Sequence, residues 1–316
     1  MKNTFFPHLF PGEHVLSMFA RRLRFNVLRS VEVEQRALTS TNVSLTTQSI
    51  LSPALQVVLK SINCAQERER ILKEHSLMGF YSHSLNQKHV RDYLRTKGKA
   101  QHQKLKAAHC SKLASSKAWR WCNECVKEDT SNIGVAYWHV AHQLPTAITC
   151  PKHTTSKLLN SCSQCGFAIR DLKKVSNPSE CCSVCRSKIT QSTKILGGNL
   201  RWVQDRGLEL HRSSEGILNP GYKYDMNHVV GACVSLLTKG KRLGLVQKHI
   251  HYQPLFSEWA LKSGASCLFD ENFSFEYDNA VSLHTTINTP TKVSPLSHLL
   301  WLRFFGVDSF GEFNRW

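Results

Sequence analysis

Eight side chains able to ligate a metal ion fall in four closely spaced pairs. Cys122 and Cys125 form a C-x-x-C and Cys150 and His153 a C-x-x-H, with 24 residues between them. Cys162 and Cys165 form a second C-x-x-C and Cys182 and Cys185 a third, 16 residues apart. A two-residue gap turns the backbone tightly enough for both ligand atoms to face one ion. Two such knuckles from separate hairpins complete a tetrahedral shell. The spacing therefore predicts two zinc ions per chain, one on Cys122, Cys125, Cys150 and His153 and one on Cys162, Cys165, Cys182 and Cys185. Each shell is filled by protein ligands, so both sites read as structural rather than catalytic. Cys181 competes with Cys182, but its wider gap to Cys185 makes it the second choice. The stretch CPKHTTSKLLNSCSQCG, residues 150–166, closes one site and opens the next, making a tandem pair of zinc ribbons.

The other cysteines, Cys64, Cys110, Cys233 and Cys267, are isolated and read as small buried hydrophobes. Pairs spaced in this way in a cytosolic chain indicate metal binding rather than disulfides. The segment VAYWHVAHQLP invites a catalytic reading through His139 and His142. The zinc shells are already filled by nearer ligands, however, so its aromatics are expected to pack a ribbon strand against a helix, with the histidine tips in water. The sequence has no Walker P-loop, no G-x-G-x-x-G, no Asp/Glu-rich metal cluster and no nucleophile–base pair. A non-enzymatic function is expected.

The elements that must position these ligands are mostly helical. Residues 13–27 place Val15, Leu16, Phe19, Leu23 and Val27 on one face at helical spacing. Ser52 followed by Pro53 is a helix start, with Ser as N-cap and Pro at the first helical position. Leu55, Leu59 and Ile62 continue it as an apolar stripe, and AQERERILKEHSLMGFY reads as a charged helix. After the ribbons, QSTKILGGNLRWVQDRG reads as a linker and MNHVVGACVSLL as a helix. An apolar helix runs through Leu255, Phe256 and Trp259, and another follows Pro295 with Leu299, Leu300, Leu302 and Phe304 in its core. The expected architecture is mainly α with small β zinc ribbons. It comprises a helix-turn-helix-like N-terminal bundle over 1–118, a tandem zinc-ribbon module over 119–190 and a helical C-terminal region over 191–316.

The 316 residues carry 41 Lys plus Arg against 23 Asp plus Glu, a net charge of +18 with histidine neutral. That excess goes beyond the magnitude of about 2 to 8 that serves solubility in a small domain and points to a polyanion, most often nucleic acid. The densest basic run, from Lys88 to Lys117, contains one acid, Asp92. Its Arg95, Lys97, Lys99, Lys104 and Lys106, with Lys239, Lys241 and Arg242 of a later basic turn, are the expected phosphate contacts to double-stranded DNA. The competing class is an interaction scaffold whose charge serves only solubility; the salt dependence of DNA affinity separates the two. No apolar run approaches the roughly 20 residues of a membrane helix, and the N-terminus is a poor secretory signal, so a cytoplasmic protein without a membrane is expected.

The order of these segments resembles the TniQ/TnsD family of bacterial transposon target-site selection proteins. FPGEHVLSMFARR looks like the family's opening helix, and ILKEHSLMGFYSHS is similar to a segment preceding the ribbons. WCNECVKEDTSNIGVAYWHVAHQLPTAITCPKH matches the family core, and GLVQKHIHYQPLFSEW and SPLSHLLWLRFFG look like the TnsD-type C-terminal section. The resemblance implies a non-catalytic adaptor that chooses where insertion occurs and recruits a TnsC-type AAA+ ATPase, which calls in the transposase. Some family members bind an attachment site directly, while others dimerise on a CRISPR effector complex and let guide RNA choose the site. TnsD members usually carry further DNA-binding helices past the point matching Trp316, so the resemblance does not extend to strong sequence-specific binding by this chain alone.

Overall fold

The computed structural model describes residues 6–24, 30–39, 44–47, 52–82, 112–213, 230–231, 244–288 and 293–308. The described residues are mainly helical. Their β content consists of isolated antiparallel bridges.

Helix α1 (Val15–Leu23) buries Val15, Leu16, Met18, Phe19, Ala20 and Leu23. His14 caps it: the ring Nδ1 accepts the Leu16 N–H at 3.1 Å. A capping acceptor satisfies one of the orphan donors of a first turn. Just before it, the buried Glu13 carboxylate takes Arg21 Nε at 3.0 Å, Arg21 Nη2 at 2.6 Å and the Ser17 hydroxyl at 2.8 Å. Helices α2 (Val31–Thr39) and α3 (Pro53–Ser61) pack on α1 and on each other. Ser52 caps α3 through its hydroxyl, which accepts the Ala54 N–H at 3.1 Å, with Pro53 in the first turn.

The segment expected to form one charged helix is broken into two, α4 (Ala65–Glu74) and α5 (Met78–Tyr81). Ser76 causes the break locally: its hydroxyl donates to Leu72 O at 2.6 Å and accepts the Met78 N–H at 3.1 Å, starting a second helix. Past the cysteine-rich segment, residues that read as a linker form α8 (Gly198–Arg212), with Leu200, Val203, Gln204, Gly207, Leu210 and His211 buried. The helical spacing is present in the sequence, but only half of those inward positions are large and apolar. Helix α8 packs against α4 and α5 on one side and against the C-terminal α11 (Pro295–Phe304) on the other. Gly207 is required at one crossing, since a Cβ there would lie 2.0 Å from Thr146 Oγ1.

The C-terminal helices are α9 (Leu245–Lys262), α10 (Leu283–Asn288) and α11. Phe256 of α9 stacks on Trp301 of α11 with ring centroids 3.9 Å apart, and both are fully buried. Leu299, Leu300 and Leu302 are core as expected, and Phe304 is partly buried against it. The apolar helix expected through Leu255, Phe256 and Trp259 forms, with Leu255 exposed because its place on α9 is turned away from the buried Phe256 and Ala260. Of MNHVVGACVSLL only Val230 and Gly231 are described; Val27 lies outside the described residues. Among the described residues no helix is long and apolar enough to cross a membrane.

Candidate metal centre

Cys122 is the N-cap of helix α6 (Asn123–Ile133), and Cys125 sits in its first turn. The first C-x-x-C is therefore set by a helix start rather than by the hairpin expected from its spacing. Thiolates are favoured at a helix N-terminus by the unpaired N–H groups and the helix dipole. Gly134, at φ 83°, ends the helix in the left-handed conformation that only glycine takes without strain. The short helix α7 (Val140–Gln143) follows, and a turn then brings Cys150 and His153 back to Cys122 and Cys125.

The four ligand atoms of each cluster lie within 4.8 Å of one another. In the first, Cys125 Sγ is 3.5 Å from Cys150 Sγ, and His153 Nδ1 is 3.5, 3.4 and 3.6 Å from the sulfurs of Cys122, Cys125 and Cys150. In the second, Cys162 Sγ is 3.7 Å from Cys185 Sγ and Cys165 Sγ is 3.7 Å from Cys182 Sγ. A tetrahedral ion with bonds of about 2.3 Å to sulfur and about 2.0–2.1 Å to nitrogen has edges near ~3.8 and ~3.6 Å. The observed separations match those edges. They are far longer than a disulfide bond of about 2.05 Å, and the cysteines of both clusters are free thiols. Both donor sets can hold a metal ion, and their chemistry fits zinc.

The three thiols of the first cluster bear directly on one another's ionisation. Hydrogen bonds from Cys125 and Cys150 pull the Cys122 thiol far down. The same interaction with Cys122 pushes Cys125 far up and Cys150 to about 11. Three sulfurs this close cannot all ionise without a cation among them. A bound metal would take all three as thiolates and release protons.

Residues not singled out by sequence reasoning surround this cluster. His153 Nε2 donates to Glu128 Oε1 at 3.2 Å, which leaves Nδ1 for the metal, and Lys152 Nζ holds the other carboxylate oxygen at 2.5 Å. Glu128 lies three residues after Cys125, one helical turn on, a signal visible only once residues 123–133 are recognised as a helix. Arg120 is buried. It donates to Ala147 O at 2.5 Å and to Leu144 O at 2.7 Å, and burial pushes its pKa down to about 10. Gln204 of α8 accepts the Ile148 and Thr149 N–H groups at 2.8 and 2.9 Å, fixing the extended segment that leads into Cys150.

Of the histidines of the aromatic segment, His139 is partly exposed and His142 is buried rather than wet. His139 Nε2 bonds Asp129 Oδ2 at 2.8 Å. His142 is fully buried, with Nε2 3.4 Å from Cys150 Sγ and 3.8 Å from Cys125 Sγ; burial holds its pKa well below the usual value. The neutral ring packs beside the cluster as a fifth group, its Nε2–H positioned to donate to sulfur. Trp138 is buried as expected, although it packs on Trp119 and Trp121 and donates to Ser176 O at 2.7 Å from a loop rather than from a ribbon strand.

The second cluster is built from two knuckles of one design. Cys162 N–H bonds Phe167 O and Gly166 N–H bonds Cys162 O, each at 2.9 Å; Cys182 N–H bonds Ser187 O at 2.9 Å and Arg186 N–H bonds Cys182 O at 3.0 Å. Cys182, not Cys181, completes the set. Cys181 instead bridges Lys188 through its backbone and is exposed. The two clusters differ in exposure: Cys122, Cys125 and Cys150 are buried, whereas Cys165 and Cys185 are exposed. Of the isolated cysteines, Cys64 and Cys267 are exposed rather than buried, Cys64 because it caps the start of α4 at the surface. Cys110 and Cys233 lie outside the described residues.

The expected phosphate contacts, Arg95, Lys97, Lys99, Lys104, Lys106, Lys239, Lys241 and Arg242, also lie outside the described residues. Two cations at the end of the basic run are described. Lys112 pairs with Asp278 at 3.8 Å and Lys117 with Asp270 at 3.4 Å, so this end of the run faces carboxylates of the C-terminal region.

Residues 4–156 match the TniQ family model, a span that contains the whole of the first cluster. That stretch is a TniQ domain. A TniQ domain implies a transposition-associated, target-selecting adaptor role in outline, and the family's proteins are in general non-catalytic and DNA-associated. The second cluster and helices α8 to α11 lie beyond the matched residues. A search of curated proteins finds no match to the chain.

Proposed function

We propose that this protein is a non-catalytic adaptor that binds double-stranded DNA at a transposition target and recruits a TnsC-type AAA+ ATPase and, through it, the transposase. The observation that carries this reading is the TniQ match over residues 4–156, which takes in the first cluster. Each cluster supplies four protein ligands, which supports a structural zinc ion in each and leaves no open position for a reacting molecule. The chemically suggestive side chains beside them are engaged: His139 with Asp129 and Glu124 with Ser156. In this reading zinc pins α6, the Cys150–His153 turn and the two later knuckles into one rigid body. The N-terminal helices form the helix-turn-helix-like unit, 119–190 the zinc module and 191–316 the TnsD-like region.

Selection of bound fragments from genomic duplex DNA tests this. Enrichment of a discrete site by the zinc-loaded chain supports direct target binding. Enrichment that requires a guide-RNA complex identifies the chain instead as an adaptor docked on a CRISPR effector. Absence of enrichment in both formats overturns the targeting role.

A further inference from the structure

From Cys150 to Gln204 the sequence holds nine Lys or Arg and two acids, Asp171 and Glu180. Both acids are already engaged, Asp171 with Lys173 at 3.7 Å and Glu180 with Lys127 at 3.4 Å. Lys157, Arg186, Lys188, Lys194 and Arg201 make no ion pair among the described residues. In the free protein such cations are met by water and counterions, which a polyanion can displace.

The backbone brings three of these cations, Lys157, Lys194 and Arg201, to one place. Lys157 N–H bonds Ser192 O at 3.0 Å and Lys194 N–H bonds Thr155 O at 2.7 Å, an antiparallel pairing centred on Ser156 and Thr193. In that register Thr155, Lys157, Ser192 and Lys194 share one face, while Ser156 turns inward to Glu124. Arg201 reaches the same place, with Nη2 3.4 Å from Thr154 O. Segment 186–194 leads from this pairing back to the second knuckle, where Arg186 and Lys188 are exposed. Arg186 has φ 64°, the position that Gly166 takes in the paired knuckle at φ 70°. A non-glycine residue there is strained. A cation thus stands where folding alone favours glycine, as is common at functional positions.

We infer that Lys157, Arg186, Lys188, Lys194 and Arg201 form a contact surface for the phosphate backbone of duplex DNA. This rests on the DNA-adaptor reading and assigns it a surface on the zinc module, separate from the basic run. Duplex is favoured over single strands because no exposed aromatic ring lies among residues 150–204 to stack an unpaired base. The exposed hydroxyls of Thr155 and Ser192 lie between the cations and add neutral donors to phosphate oxygens.

The test measures duplex affinity of the full, zinc-loaded chain against salt concentration. The variants are Arg186→Gly, Lys157→Gln and their combination with Lys188→Gln. Arg186→Gly relieves the backbone and so keeps zinc content and thermal stability at or above wild type, yet it should weaken binding. The triple variant should flatten the log–log salt slope by about 2.7, at roughly 0.9 for each phosphate no longer neutralised, on all duplex sequences alike. Wild-type binding with an unchanged slope in the triple variant overturns this surface while leaving the adaptor reading intact. No duplex binding by wild type at any salt overturns both. Tighter binding of single-stranded DNA or RNA than of duplex overturns the assignment to duplex.

Discussion

Gln204→Ala is a direct probe of how α8 holds the first cluster in place. The carboxamide oxygen of Gln204 accepts the N–H groups of Ile148 and Thr149 at 2.8 and 2.9 Å, and its Nε2 donates to Thr149 Oγ1 at 3.0 Å, all in buried surroundings. Removing the side chain leaves two backbone donors and one hydroxyl without partners, directly before Cys150. Each buried polar group left unmade costs about 1–3 kcal/mol. Water admitted to the vacated space recovers part of that, so a net loss of about 3 kcal/mol is expected. Urea unfolding of the zinc-loaded protein measures it as a lower midpoint at unchanged slope. Metal transfer to a coloured chelator should be faster from the first site, because Thr149 no longer fixes Cys150, and unchanged from the second. A loss below about 0.5 kcal/mol, the low end for a single hydrogen bond, with unaltered metal transfer would refute the claim that α8 fastens this segment.

The purified protein should contain two zinc ions per chain. Cys125→Ser should abolish the first site and Cys165→Ser the second, and a chelator should empty the exposed second site first; metal analysis showing at most one tightly held ion rules out the pair. Stability should fall below about pH 6.5, the usual histidine value. Burial lowers His14 to about 3 and His211 to about 4, so below that value the unfolded chain binds more protons than the folded one, and stability lost on acidification returns as pH rises. His14→Asn keeps a capping acceptor for Leu16 N–H but does not titrate, and should remove close to one proton from the pH dependence of the unfolding free energy between about pH 6 and 4. Changing Lys97, Lys99, Lys104 and Lys106 together to Ala should flatten the DNA salt slope by up to about four phosphates' worth, and identical slopes would show that the basic run does not touch DNA.

Both ligand sets can be read from the sequence because a tetrahedral shell built from C-x-x-C and C-x-x-H pairs is a local constraint, written in spacing alone. The caps at Ser52 and Ser294 are equally local, each followed by a proline and then by an apolar stripe. What folding decides are the long-range partners. Glu128 becomes the carboxylate behind His153 only because α6 forms and turns that residue toward the Cys150–His153 loop. His142 is placed against the sulfurs of Cys125 and Cys150 only by the packing that brings residues 125, 142 and 150 together. Helix α8 is hidden in the sequence because its inward positions include Gln204, Gly207 and His211, which packing selects for a hydrogen bond, a close approach and a buried ring rather than for hydrophobicity. Charge shows the division most sharply. Sequence density singles out the run from Lys88 to Lys117, but whether a cation faces carboxylate or water depends on what the fold sets beside it. Folding brings Lys112 and Lys117 to Asp278 and Asp270, and leaves Lys157 and Lys194 side by side without an acid.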